Sequence, residues 1–259
     1  MANMTKPLKI PTRLGLNLAA VYHQPSTPGP YPLVILLHGF TGYKEEEHIA
    51  TLAEALAYQG IAALRFDAPG SGESEGTWAE DYRVNKYVSA VGDVLEYAKT
   101  NLEIDPNLVA IWGHSMGGYI ALATAAHSTD IKALVASQPS IGWMMVPEGK
   151  LSHWQGTGWA PFTFKTDTKI KLPYAFYDER RQYSSLKEAA HLKIPSLFIA
   201  GLNDIDVPAQ KVREIYAAAS GPKQYLEFSA SHGYKHELEN LSKINTATLE
   251  FFMKNLTRS

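Results

Sequence analysis

Leu108-Val109-Ala110-Ile111-Trp112-Gly113-His114-Ser115-Met116-Gly117-Gly118 runs from an apolar stretch straight into a serine flanked by glycines. Leu108 to Trp112 reads as a strand buried on both faces. Tyr119 to Ala126 is alanine-rich and reads as a helix. Ser115 therefore sits on the turn between them, and Gly113-x-Ser115-x-Gly117 has the spacing of a nucleophile elbow. Glycine is needed there because side chains would collide with neighbouring backbone. The turn lifts the hydroxyl above the sheet edge, and the helix directs backbone N–H groups toward developing negative charge. Alone the pattern is a modest signal; its strand-then-helix context is what gives it weight.

Outward from this stretch, short apolar runs alternate with helix-like segments, the rhythm of parallel βα units. Strands are predicted over Asn17 to His23, Leu33 to Leu37, Ile61 to Phe66, Ile131 to Ala136, Pro195 to Ala200 and Gln224 to Phe228. Helices are predicted over Glu45 to Tyr58, with Ile49, Leu52, Ala53 and Leu56 on one face, over Val84 to Lys99, Pro208 to Ala219, and from about His236 to Lys254. Asp105-Pro106-Asn107 reads as a turn. From Gln138 to about His191 the rhythm breaks into a stretch rich in proline, glycine and aromatics, among them Trp143, Trp154, Trp159, Phe162, Phe164, Tyr174, Phe176 and Tyr177. Such a stretch inside one domain has structure or a function of its own.

A neutral serine hydroxyl is a weak nucleophile and needs a base, which in turn needs an orienting acid. The strand at Pro195 to Ala200 leads into Asp204, and the strand at Gln224 to Phe228 leads into His232, so the chain order is Ser115, Asp204, His232. Asp206 is the alternative acid, or a cap for the helix near Pro208. His236 is the alternative base, although it lies where the last helix should begin. A developing oxyanion needs two donors. The N–H groups of Met116, after the nucleophile, and of Phe40, in the loop His38-Gly39-Phe40, are the candidates, with Gly39 providing a tight turn. His38 itself is read as structural, as are His48, His127, His153 and His191.

Composition narrows the alternatives. The chain has 259 residues, enough for one sizeable core. Its formal net charge of −2 offers no basic field for nucleic acid. It has no cysteine, which excludes disulfides and thiolate chemistry. No signal-like or membrane-spanning apolar run is seen, so the expectation is a cytoplasmic protein without a stable membrane anchor. No H-E-x-x-H or similar ligand set suggests a metal, and the glycine-rich loop Asp67 to Gly76 fits neither phosphate-loop pattern, so no cofactor is expected.

Taken together, His38-Gly39-Phe40, Asp67 to Ser74, Gly113 to Gly118, Gly201 to Pro208 and Ser231-His232-Gly233 resemble the α/β-hydrolase superfamily. Within it the chain is similar to the small bacterial carboxylesterases of the cinnamoyl/feruloyl esterase-like group. The resemblance implies one domain over residues 1–259 with a mostly parallel eight-stranded sheet, helices on both faces, and a lid at 138–191 inserted between the sixth and seventh strands. It implies a carboxylic-ester hydrolase with Ser115, Asp204 and His232 as triad, and a substrate pocket to which His114, Trp143, Trp159 and Tyr174 contribute. The expected partner is a small-molecule ester; a homodimer is left open. The same machinery serves thioesters, lipid monoesters and amides. A reading of another class, a ligand-binding protein with little turnover, is weakened by the complete Ser-Asp-His set.

Overall fold

Leu33-Val34-Ile35-Leu36-Leu37 is buried throughout, yet its side chains serve two cores. Leu33, Ile35 and Leu37 join one apolar cluster, and Val34 and Leu36 join the other. A strand pleat sends successive side chains to opposite faces, so an apolar run without polar interruption makes a sheet that must be covered on both sides. The structure is a computed structural model, and it describes residues 4–141, 148–163 and 169–256.

In chain order the elements are β1 (Met4–Pro11), β2 (Asn17–Gln24), β3 (Tyr31–Leu37), α1 (Glu47–Tyr58), β4 (Ala62–Phe66), α2 (Val84–Asn101), β5 (Ile104–His114), α3 (Met116–His127) and β6 (Ile131–Ser137). There follow α4 (Glu148–Thr157), β7 (Trp159–Thr163), β8 (Lys169–Pro173), α5 (Tyr174–Gln182) and α6 (Ser185–His191). The chain ends in β9 (Ser196–Gly201), α7 (Ala209–Ala218), β10 (Lys223–Phe228), a short 3-10 turn at Tyr234–His236, and α8 (Leu238–Asn255).

Eight strands form one sheet in the order β1-β2-β4-β3-β5-β6-β9-β10. The β1–β2 and β2–β4 pairs are antiparallel and the rest are parallel. Helices α1 and α8 cover one face, through Ile49, Leu52 and Leu56 and through Leu241, Ile244 and Phe252. Helices α2, α3 and α7 cover the other. Elements α4 to α6, with the β7–β8 hairpin, are inserted between β6 and β9, the sixth and seventh strands of the sheet. Trp154, Leu172, Phe176, Tyr177 and Ala189 anchor them to the same core as α2 and α3.

The structure departs from the sequence reading in two places. β1 is a full strand paired with β2 from Met4↔Gln24 to Pro11↔Asn17. It is mostly exposed and carries Lys6, Pro7, Lys9 and Pro11, so no apolar alternation announces it; proline and lysine are the residues that blunt a sheet edge. Asp105 to Asn107 is not a free turn but part of β5, where the register with β3 shifts between the Tyr31↔Ile104 and Leu33↔Val109 pairs. The Asp105 carboxylate accepts the Asn107 N–H within that irregularity, which is the turn chemistry the sequence signalled.

Candidate active site

The carboxyl ends of β3, β5, β9 and β10 bring four loops to one edge of the sheet, the edge where parallel α/β sheets hold their ligands. β5 delivers Ser115. Its φ of 54° lies in the left-handed region, which a non-glycine residue adopts only when its surroundings impose it. Here the surroundings are explicit. Ser115 N–H donates to Ser137 C=O at 3.0 Å, and Ser115 C=O accepts from Tyr119 and Ser140 N–H at 3.1 and 3.0 Å. A side chain at Gly113 would run into the Gly117 carbonyl, and one at Gly117 would run into the Leu37 and His38 carbonyls. The glycine spacing is thus a demand for space between β3, β5 and α3.

His232, from the loop after β10, places Nε2 2.9 Å from Ser115 Oγ and Nδ1 2.8 Å from Asp204 Oδ2. A buried carboxylate accepts, so His232 carries its proton on Nδ1, and Nε2 is left to accept from the serine hydroxyl. Asp204 is held in turn. Its Oδ1 accepts the N–H groups of Asp206 and Val207 at 2.9 and 2.8 Å, and its side chain is fully buried. Asp206 is exposed, and the N-terminus of α7, at Pro208, has no side-chain cap, so the expected capping role for Asp206 is not what the structure contains. Asp206 instead lends its backbone N–H to the acid. Its carboxylate, with Asp204 and His232, forms a group compact enough for a cation. Asp204 Oδ2 and His232 Nδ1 are however already engaged with one another. His236 is exposed on the 3-10 turn.

The loop after β3 faces Ser115. Gly39 opens a turn, its C=O accepting the Gly42 N–H at 3.1 Å, and it lies close to the nucleophile, where a Cβ would stand 3.2 Å from Ser115 Cβ. His38 is fully buried. Its Nε2 accepts the Ala68 N–H at 3.0 Å, so the ring proton is on Nδ1 and donates to Gly39 C=O at 2.8 Å. Burial lowers its pKa, which keeps it neutral. Tyr82 holds the same loop: its hydroxyl accepts from Thr41 N–H and donates to Gly39 C=O, each at 3.3 Å. Met116, on the other side, opens α3. The first intrahelical bond runs from Tyr119 N–H to Ser115 C=O, so the Met116 N–H precedes the helical ladder.

Of the expected pocket residues, His114 lies behind the base rather than in an open cleft. It is buried, with its ring 4.8 Å from His232, 5.0 Å from His48 and 5.4 Å from Tyr234. Burial, and then the positive charge His232 would carry, push its pKa well below the ordinary value. Trp159 is exposed on β7 with Lys171 Nζ 4.6 Å from its ring centre. Tyr174 packs on Trp154 and Tyr177 within the insertion. Trp143, like Phe164, lies outside the described residues. What the sequence reading missed is an aromatic group beside the His38–Phe40 loop. Phe40 packs on Trp78, Tyr82 and Phe176 at 6.1, 5.9 and 5.3 Å, and Tyr82 stacks on Phe176 at 12°. No periodicity marks that group, because it joins the loop after β3, the segment before α2, and α5.

The family model described as serine aminopeptidase, S33, matches residues 29–185. A 31.7 kDa Escherichia coli protein of the traX-finO intergenic region is 24% identical over 94% of this chain and 98% of its own. The lysophosphatidylserine lipase ABHD12 of Danio rerio is 26% identical over 84% of this chain and 57% of its own. Among solved structures, Est1E of Butyrivibrio proteoclasticus with ferulic acid bound superposes with a TM-score of 0.82, at 24% identity, over 97% of this chain and 100% of that one. The chain shares the α/β-hydrolase fold of that structure.

Proposed function

Since the chain belongs to the serine aminopeptidase S33 family of α/β hydrolases, we propose that it is a carboxylic-ester hydrolase acting through an acyl-enzyme on Ser115. The observation that carries this reading is the continuous hydrogen-bond relay Asp204–His232–Ser115 at the strand ends. In the proposed reaction His232 Nε2 takes the hydroxyl proton as Ser115 Oγ attacks the ester carbonyl. The N–H groups of Met116 and Phe40 hold the oxyanion. His232 then protonates the leaving alcohol. Water, deprotonated by the same nitrogen, attacks the acyl-enzyme and releases the acid and the free serine. Asp204 keeps the imidazole in the Nδ1–H tautomer and stabilises its cation.

Residues 138–191 act in this proposal as a cap. Phe176 of that segment is buried and packs against Phe40, beside the proposed oxyanion site, so the cap backs the residue that would face the acyl or aryl group. Flat aromatic walls favour aryl and medium acyl groups, and ferulic acid bound to Est1E supports the same substrate class. The test is hydrolysis of p-nitrophenyl esters, acetate to palmitate, and of methyl ferulate, beside Ser115→Ala. Turnover that disappears in the variant supports the reading. Turnover that survives Ser115→Ala overturns Ser115 as the nucleophile, whereas its absence on every ester in a folded protein overturns the ester assignment and moves the weight to amide or thioester bonds or to a ligand-binding protein.

A further inference from the structure

Gln138 follows β6 directly, is completely buried, and has both ends of its amide engaged. Nε2 lies 2.9 Å from Ser231 C=O, and Oε1 lies 3.2 Å from His114 Nε2. A carbonyl can only accept, so the end facing Ser231 is the –NH2. Oε1 then faces the imidazole, and His114 must carry its proton on Nε2 and donate it. The Gln138 backbone is equally fixed. Its N–H donates to Ile199 C=O at 2.7 Å, and its φ is +45°. A non-glycine residue stays in that region only where its neighbours over-determine it. Space has been left for the amide: a side chain at Gly201, the end of β9, would collide with Gln138 Nε2 and stand 2.5 Å from the Ala230 carbonyl. The residue before the nucleophile, the residue before the base and the strand that leads to the acid therefore converge on one carboxamide.

We propose that Gln138 is a positioning residue for the reaction, a clamp that ties Ser231 to His114 and thereby sets His232 against Ser115. The proposal rests on the reading of Ser115 and His232 as nucleophile and base. Each clamped residue is the chain neighbour of a reacting one, so a shift at either end of the amide is passed on across a single peptide unit. Positional errors of this kind reduce the rate while leaving binding largely intact. The clamp is not what folds the base loop, because Glu237 independently accepts from Ser231 N–H and Oγ and from Asn240. The titratable groups around the amide are His114, His232 and, across Gly201, Asp204, with His48 and Tyr234 behind His114.

The experiment compares the full chain with Gln138→Leu and Gln138→Glu, measuring kcat and KM on the best ester and the rate of Ser115 labelling by a fluorophosphonate. The labelling rate uses the same relay and needs no natural substrate. In Gln138→Leu, kcat and the labelling rate should fall about tenfold or more with KM within about threefold. In Gln138→Glu the ionised carboxylate has no proton to give the Ser231 carbonyl, whereas a protonated carboxyl has one. Its rate relative to the wild type at each pH should therefore rise as pH falls from about 8 to about 6, a recovery that loss of packing would not produce. A folded Gln138→Leu with kcat and labelling within about twofold of the wild type overturns the clamp. Should that variant not fold, a pH-independent ratio for Gln138→Glu overturns it. Ser115→Ala separates the two ideas. Activity that needs Ser115 but not Gln138 removes the clamp and leaves the Ser115 hydrolase, and activity that survives Ser115→Ala removes the reading of Ser115 as nucleophile on which the clamp rests.

Discussion

Asp204 Oδ2 stands 2.8 Å from His232 Nδ1, while the second oxygen of the same carboxylate accepts two backbone N–H groups. That double anchoring separates it from Asp206, which is exposed and contributes its main chain. Asp204→Asn should therefore lower kcat by roughly 10³- to 10⁴-fold, because an amide facing Nδ1 favours the wrong tautomer. Asp206→Asn should stay within about threefold of the wild type, since its N–H to Asp204 is retained. Steady-state kinetics of both variants make the check; the reverse ranking moves the acid to Asp206.

Gly117 lies against the end of β3, where a Cβ would meet the carbonyls of Leu37 and His38. Neither is the far end of a flexible side chain, so the backbone itself must move. Gly117→Ala should destabilise the protein by about 2–3 kcal/mol and also slow turnover, because the displaced segment leads into the Gly39–Phe40 loop. Chemical denaturation with parallel kinetics tests this. A variant with unchanged midpoint and rate would mean that α3 and β3 part without consequence.

Two buried histidines make folding sensitive to acid. Burial, and then the charge of Lys235, lower the His48 pKa from 6.5 to about 3, and neither of its ring nitrogens has a hydrogen-bond partner. His114 is lowered as well. The unfolded chain protonates both near pH 6.5, whereas the native protein resists protonation until well below that. Stability from this source is thus complete above about pH 7 and is lost as pH falls from about 6.5, by up to about 2.7 kcal/mol per pH unit for the pair. Urea unfolding between pH 7.5 and 5 reads the slope. His48→Phe, which suits a site between Trp112 and Tyr234, should reduce that slope by about one proton's worth, and an unaltered slope would mean that His48 is not a source.

Lys44 is buried with its ammonium 3.0 Å from the equally buried Asp67, and it also pairs with Glu73. Asp67 further accepts the N–H groups of Lys44 and Glu73, so this pair ties the glycine-rich loop after β4 to the segment after β3. Lys44→Met leaves a carboxylate buried without its counter-ion and should cost about 3–5 kcal/mol. Adding Asp67→Asn should restore part of that loss. A double variant less stable than Lys44→Met alone would show that the charge pairing is not what Asp67 contributes.

Legible in the residues alone are the strand that serves two cores, the turn that carries Ser115, and the loops after β9 and β10 that carry an acid and a base in order. These are local properties. The apolar runs of β3, β5 and β9 require burial on both faces wherever they are placed, and glycines around a serine permit a turn that bulkier residues forbid. Among the described residues no helix is long and apolar enough to cross a membrane, in line with the hydropathy of the sequence. Tertiary structure decided what depends on residues far apart in the chain. It separated Asp204 from Asp206 by turning one carboxylate under His232, a residue 28 positions away. It turned His114, expected at a pocket, into a buried neighbour of the base, and drew Phe40, Tyr82 and Phe176 into one aromatic group. It made β1 a strand because β2 offered a free edge, not because the Met4–Pro11 sequence favours one. Gln138 is the clearest case. Nothing around it in the chain sets it apart, and its role exists only because β6, β9 and the loop after β10 bring His114, Gly201 and Ser231 within reach of a single amide.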